Sequence, residues 1–273
     1  MSKVLVTESY LSDIADAIRT KSGGGTTYKP SEMAQGILDI PAGGGGGFSI
    51  EDYLGHQFTG SATFTDSDVG YFSLQNQTGI TSLSFPNATT LGNVSAGGFS
   101  GMTGLISFSA PKATRVSSSM LNGNTSMTSV NLDKLDDTST NLLYGCASLP
   151  VVVLPSVKTI YSQTFRNCNN LESLDVLGTN GFTNQNNMNG CTKLNKLIIR
   201  KNGVATLSNI NNFTGTPFAS NGTGGTLYVP QAQIASYQSA TNWSTILSYT
   251  NNQILPIEGS YYETHYADGT EIL

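Results

Sequence analysis

The sequence runs to 273 residues with a formal charge of −5, and only 11% of it is Asp, Glu, Lys or Arg, against about 25% in an average globular chain. That balance speaks against nucleic acid as a partner, which would need clustered Lys and Arg. No stretch approaches the roughly 18 consecutive apolar residues of a membrane-spanning helix, so membrane insertion is not expected either.

Residues 1–42 are expected to form a helical segment, and 7–42 hold the one stretch of clear helical period. Leu11, Ile14, Ala15 and Ile18 recur at i, i+3, i+4 and i+7, which collects them on one face. Pro30 suits the first position of a second helix, because its φ is already helical and its missing N–H would go unbonded there anyway. Met33, Ile37 and Ile40 then repeat at i, i+4 and i+7, and Pro41 ends the run. Two helices this short bury too little to stand alone, and residues 43–47, all glycine, form a flexible tether behind them. The pair reads as a capping hairpin or, as the tether favours, an attachment segment that works through Leu11, Ile14, Ile18, Met33 and Ile37. The stretch Leu11-Ser12-Asp13-Ile14-Ala15-Asp16-Ala17-Ile18-Arg19, with Tyr28-Lys29-Pro30-Ser31-Glu32-Met33-Ala34, resembles a motif at the start of many phage tail-associated proteins.

Residues 48–79 alternate Phe, Tyr and Thr with polar residues and are expected to seal the amino-terminal end of a repeat region. From 80 to 216 the chain repeats. Leu105, Met127, Leu149 and Leu171 stand 22 residues apart, and Leu194 comes after 23. Each opens an apolar pattern at the start, three on and five on. The series is Leu105/Phe108/Ala110, Met127/Val130/Leu132, Leu149/Val152/Leu154, Leu171/Leu174/Val176 and Leu194/Leu197/Ile199, with an earlier copy at Ile80/Leu83/Phe85. Residues three and five on point to the same side of a strand. One strand per turn, with the same inward positions each time, stacks into a continuous core that no repeat forms alone.

A period of 22 lies in the leucine-rich-repeat range and is shorter than the common helical repeats. The expected fold is a short-strand leucine-rich-repeat solenoid, mainly β with irregular turns and a helical cap, preceded by a small amino-terminal helical hairpin. Cys146, Cys168 and Cys191 keep the same register, each behind a Gly or Asn (Gly145, Asn167, Gly190). They lack the close pairing of a metal site, and His56 and His265 both lie outside the repeats, so neither a metal nor a cofactor is expected. A ladder of reduced, buried thiols is the reading. Leu149 to Asn170 carries an apolar-x-x-apolar-x-apolar-Pro opening, a central Ile160 and the ending Phe165-Arg166-Asn167-Cys168; it resembles the BspA-like leucine-rich repeats of bacterial surface and phage-encoded proteins.

Residues 217–258 are expected to close the second end. Thr226–Val229 reads as a last strand and Gln231 to about Leu247 as one helix, carrying Ile234, Tyr237, Trp243 and Ile246, with Trp243 as cap packing. The tail, 259–273, is rich in Tyr and reads as a partner contact or one more edge strand.

Positions two and four after each repeat start should face outward: Ser82/Ser84, Ser107/Ser109, Ser129/Asn131, Val151/Val153, Ser173/Asp175 and Lys196/Ile198. Ser107, Ser109, Ser129, Asn131, Val151, Val153, Ser173 and Asp175 are the candidate binding residues, although small polar groups also serve simply to solubilise a sheet. Asp133 and Asp175 are expected on that face two rungs apart, roughly 10 Å. That approaches the separation of about 6.5–9.5 Å used by inverting glycosidases, but ordinary solvated carboxylates are the favoured account and no enzyme is expected.

The two resemblances together imply a phage tail-fibre or receptor-binding protein. They imply other virion tail or baseplate proteins and a host cell-surface glycan or protein as partners, and a homotrimer by likeness to tail fibres. Met1 to Glu8 lacks the apolar core of a secretory signal, which fits a protein made in the host cytoplasm and carried in the virion tail. A bacterial surface adhesin and a glycan-degrading tailspike are the alternatives.

Overall fold

A computed structural model describes residues 59–272 apart from 66, 68, 70–72, 92–96 and 179. The expected helical hairpin with Leu11, Ile14, Ile18, Met33 and Ile37, its glycine tether and residues 48–58 lie outside the described residues. The described residues form a mainly-β solenoid of parallel strands.

One strand per turn builds the principal face: β1 (Gly60–Thr63), β2 (Ile80–Ser84), β3 (Ser107–Ser109), β4 (Ser129–Asn131) and β5 (Val151–Leu154). Past β5 the principal face goes on through β7 (Ser173–Val176) and β9 (Lys196–Ile199), and a second, shorter strand enters each turn: β6 (Thr159–Ile160), β8 (Gly181–Phe182) and β10 (Thr206–Leu207). The face then continues through β11 (Thr226–Val229) and β12 (Gln253–Pro256). All the paired strands are parallel, in the orders β1-β2-β3-β4, β5-β7-β9-β11-β12 and, on the second side, β6-β8-β10. The segment before residue 80 adds one rung, β1 on β2, and the segment after 216 adds two, β11 on β9 and β12 on β11.

Equivalent apolar residues meet across the ladder, Leu83 with Phe108 and Val130, then Val152 with Leu174, Leu197 and Leu227. With the repeat starts Leu105, Met127, Leu149, Leu171 and Leu194, all fully buried, they form one continuous core. Such stacking is what gives a single short rung its stability.

The principal ladder breaks once, for a reason visible in the chain. The residue after each repeat start donates its N–H to its equivalent one turn back: Thr128 to Ile106 (2.8 Å), Glu172 to Pro150 (2.8 Å), Asn195 to Glu172 (3.1 Å). Pro150 occupies this donor position and has no N–H to give. The four-stranded sheet therefore ends at β4 and the five-stranded one begins at β5.

The turns on the far side are ordered by a column of left-handed residues. Asn76, Gly101, Gly123, Gly145, Asn167, Gly190 and Gly215 all have φ between 61° and 80°, a region that Gly enters freely and Asn tolerates. In the first six that conformation aims the N–H at the next turn, as in Gly123 to Tyr144 (2.7 Å), Gly145 to Arg166 (2.8 Å) and Asn167 to Asn189 (2.9 Å). The cysteine after three of these residues points inward. Cys146, Cys168 and Cys191 are free and buried, and donate to the carbonyl oxygens of Leu121 (3.2 Å), Leu143 (3.1 Å) and Phe165 (2.9 Å).

The carboxy-terminal cap differs from the single helix expected over 231–247. A 3₁₀ turn (Gln231–Gln233) leads into α1 (Ile234–Ser239), and α2 (Trp243–Ser248) comes after a break at Asn242, which stands at φ +65°. The break lets the cap close the second side, where β10 is the edge strand. Tyr237 Oη accepts from the Ala205 N–H (2.9 Å), Trp243 Nε1 donates to the Ala205 carbonyl (2.6 Å), and Asn242 Nδ2 donates to the Leu207 carbonyl (2.6 Å). Exposed edge groups invite pairing with other chains, and these three side chains occupy them.

Candidate binding face

The strand register sets two outward rows on the principal face. One runs Ser61, Ser82, Ser107, Ser129 up to the Pro150 break and then Val151, Ser173, Lys196, Thr226, Gln253. The other runs Thr63, Ser84, Ser109, Asn131 and then Val153, Asp175, Ile198, Tyr228, Leu255. From β1 to β4 every one of these side chains is a small hydroxyl or amide. Ser129 and Asn131 are exposed, while Ser107, Ser109, Val151 and Val153 are half-buried. Ser107 Oγ donates to Ser82 Oγ at 2.8 Å, so the hydroxyls of neighbouring rungs lie within hydrogen-bond reach of one another.

At Ser173, Asp175 and Ile198 the face is covered, which corrects the expectation for Ser173 and Asp175. Ser173 is 5% exposed and Asp175 fully buried. Arg200 grips the Asp175 carboxylate bidentately, Nε to Oδ1 at 2.7 Å and Nη2 to Oδ2 at 2.6 Å. The guanidinium reaches onward to the carbonyl oxygens of Tyr262 (2.8 Å) and His265 (2.9 Å), and the Ala267 N–H donates to Asp175 Oδ2 (3.0 Å). The Tyr262 ring meets Tyr228 edge-on at 4.7 Å, and Arg200 sits over the Tyr266 ring at 4.8 Å. Residues 259–272 thus form a strap across the end of the face, and Ile198, between Asp175 and Tyr228 in its row, is fully buried. Burial pushes the Asp175 carboxyl above its ordinary range, against the opposing pull of Arg200 and the Ala267 N–H.

Asp133 and Asp175 do not make a pair of solvated carboxylates. Asp133 lies in the exposed turn after β4, its N–H bonded to Asn131 Oδ1 (3.3 Å), and Asp175 is bound under the strap. Among the described residues no three His, Cys, Asp or Glu side chains gather as metal ligands, and no helix is long and apolar enough to cross a membrane. Spacing singled out neither Arg200 nor the strap residues: Asp175 and Ala267 are 92 positions apart and share no period.

These features define a leucine-rich-repeat solenoid with one face partly covered by its own carboxy terminus. Residues 67–195 match the BspA type leucine rich repeat region in six copies. Two solved structures are similar. Internalin C2 from Listeria monocytogenes is 20% identical with a TM-score of 0.46, over 74% of this chain and 89% of its own. A leucine-rich repeat protein from Bacteroides ovatus is 17% identical with a TM-score of 0.33, over 72% of this chain and 61% of its own. Among curated proteins none matches the chain.

Proposed function

We propose that this chain is a phage tail-fibre or receptor-binding component that binds a host cell-surface glycan or protein without chemically altering it. Its amino-terminal segment attaches it to other tail or baseplate proteins, and a homotrimer accompanies that reading. The observation that carries it is the uncovered part of the strand face, where Ser82, Ser84, Ser107, Ser109, Ser129 and Asn131 stand in two rows on a rigid ladder. Donors and acceptors fixed on a rigid element lose little entropy on binding, which favours recognition of a repetitive polar surface. The phage context is supported by the likeness of residues 11–19 and 28–34 to tail-associated proteins.

Mass spectrometry of purified particles from the encoding phage tests this directly. The protein should appear among the tail proteins. Its absence from particles, with recovery in a bacterial envelope fraction, would contradict the reading and point to an adhesin.

A further inference from the structure

The sequence holds five Asn-Gly pairs, at Asn122, Asn180, Asn189, Asn202 and Asn221, all among the described residues. In such a pair the glycine nitrogen, unshielded by a Cβ, can attack the side-chain carbonyl carbon of the asparagine, one reason Asn is a heat-labile residue. A main-chain N–H that already donates a hydrogen bond must first be released by local opening, so the solenoid protects its own glycines. Four pairs are held in this way. The Gly123 N–H donates to the Tyr144 carbonyl (2.7 Å), Gly181 to Lys158 (3.2 Å), Gly190 to Thr214 (3.0 Å) and Gly222 to Ala219 (2.8 Å).

Gly203 differs. It lies in the turn between β9 and β10, and its N–H has no partner among the described residues. Asn202 before it is exposed. Its Oδ1, the atom that gains negative charge when the nitrogen attacks, accepts from Gln233 Nε2 (3.2 Å). Lys201 folds over the same turn: its Nζ donates to the Val204 carbonyl (3.1 Å), and its Cε lies 3.2 Å from where a Cβ on Gly203 would stand. A positive charge there favours loss of the proton from the Gly203 nitrogen.

We propose that Asn202 and Gly203 form a self-modifying turn, a site of spontaneous deamidation that the fold leaves open while it closes the other four. Hydroxide takes the Gly203 amide proton, and the nitrogen attacks Cγ of Asn202. A new C–N bond closes a cyclic imide, the Cγ–Nδ2 bond breaks, and Nδ2 leaves as ammonia with a proton drawn from water, which restores the hydroxide. Water then opens the imide at one of its two carbonyls and leaves Asp or isoaspartate at 202. Either product places a carboxylate beside Lys201 and adds a negative charge to a chain whose formal charge is −5. Isoaspartate also routes the main chain through the side-chain methylene, between β9 and β10 and beside the cap residue Gln233.

The test incubates full-length wild type and Asn202→Gln in warm, mildly alkaline buffer, folded or unfolded in guanidinium chloride. Peptide mass spectrometry follows deamidation at each pair, and an isoaspartate-specific methyltransferase follows the rearranged product. In folded wild type Asn202 should react at least about tenfold faster than any of the other four, which wait for local opening. That lead should vanish in guanidinium chloride, where every glycine N–H is free. Asn202→Gln, whose longer side chain closes a ring far more slowly, should remove most of the isoaspartate formed in the folded protein. Equal rates at the five pairs of the folded protein, or a lead by another pair, would overturn the proposal. So would a folded Asn202 that stays intact while the unfolded chain reacts, or a lead at Asn202 that persists after unfolding.

Discussion

Asn124 and Cys146 occupy the same place in successive turns and make the same pair of hydrogen bonds. Asn124 Nδ2 donates to the Phe99 carbonyl (3.0 Å) and its Oδ1 accepts from the Met102 N–H (2.8 Å). Cys146 Sγ donates to the Leu121 carbonyl (3.2 Å), and the backbone N–H of Asn124 bonds to the thiol. The position requires a short buried side chain that both donates and accepts, and an amide meets that need as a thiol does.

Asn124→Cys should therefore cost under about 1 kcal/mol, since the ladder keeps a donor and an acceptor at that rung. Asn124→Leu removes both bonds with the same number of heavy atoms and leaves a buried carbonyl and a buried N–H unsatisfied, at about 2–5 kcal/mol. Urea denaturation of the two variants measures the difference; equal stability would mean the side-chain ladder contributes nothing.

The buried thiols and the cap tyrosine make a joint prediction in alkali. Burial raises Cys146 and Cys191 well above the ordinary thiol range and pushes Tyr237 up to about 12. An acid with a higher pKa folded than unfolded lends stability that is complete below the unfolded value and is lost as pH rises through the folded one. Stability should thus decline from roughly pH 9 upward and further between about 10 and 12, the unfolded thiol and phenol values lying near 8.5 and 10. A Tm that falls between pH 7.5 and 10.5 meets the expectation, and an unchanged Tm contradicts it. At neutral pH a thiol reagent should label none of the three cysteines until denaturant is added.

Trp243→Phe tests the closure of the second side. An aromatic ring is kept, but the Ala205 carbonyl loses the indole N–H and the smaller phenyl leaves a gap at a buried site, which together should cost about 2–4 kcal/mol. Amide exchange around β10 and the cap should accelerate before that of β3 and β4. Uniform acceleration across the solenoid would show that the cap and ladder unfold as one unit.

The ladder was legible because its causes are periodic. The 22-residue step from Leu105 to Leu171 fixes which residues face inward, and the Gly or Asn before each cysteine marks the left-handed turn. The cap break was not legible, since Tyr237, Trp243 and Ile246 keep the same spacing in one helix or two, and only the φ of Asn242 decides. The fate of Asp175 was hidden for a different reason. In the repeat it occupies the same place as Asn131 and Val153, and nothing local tells that Ala267 returns to it. A strap is a single long-range contact, which leaves no repeating mark.

Binding to host bacteria by full-length wild type and by a Ser129→Glu/Asn131→Glu double variant tests the central claim most directly. Both substitutions fall on exposed positions of β4, where surface changes usually alter stability by less than about 0.5 kcal/mol. The account predicts an unchanged Tm with at least about a tenfold loss of cell binding, equivalent to about 1.4 kcal/mol. Undiminished binding by the folded variant would contradict it and move recognition away from the uncovered rows.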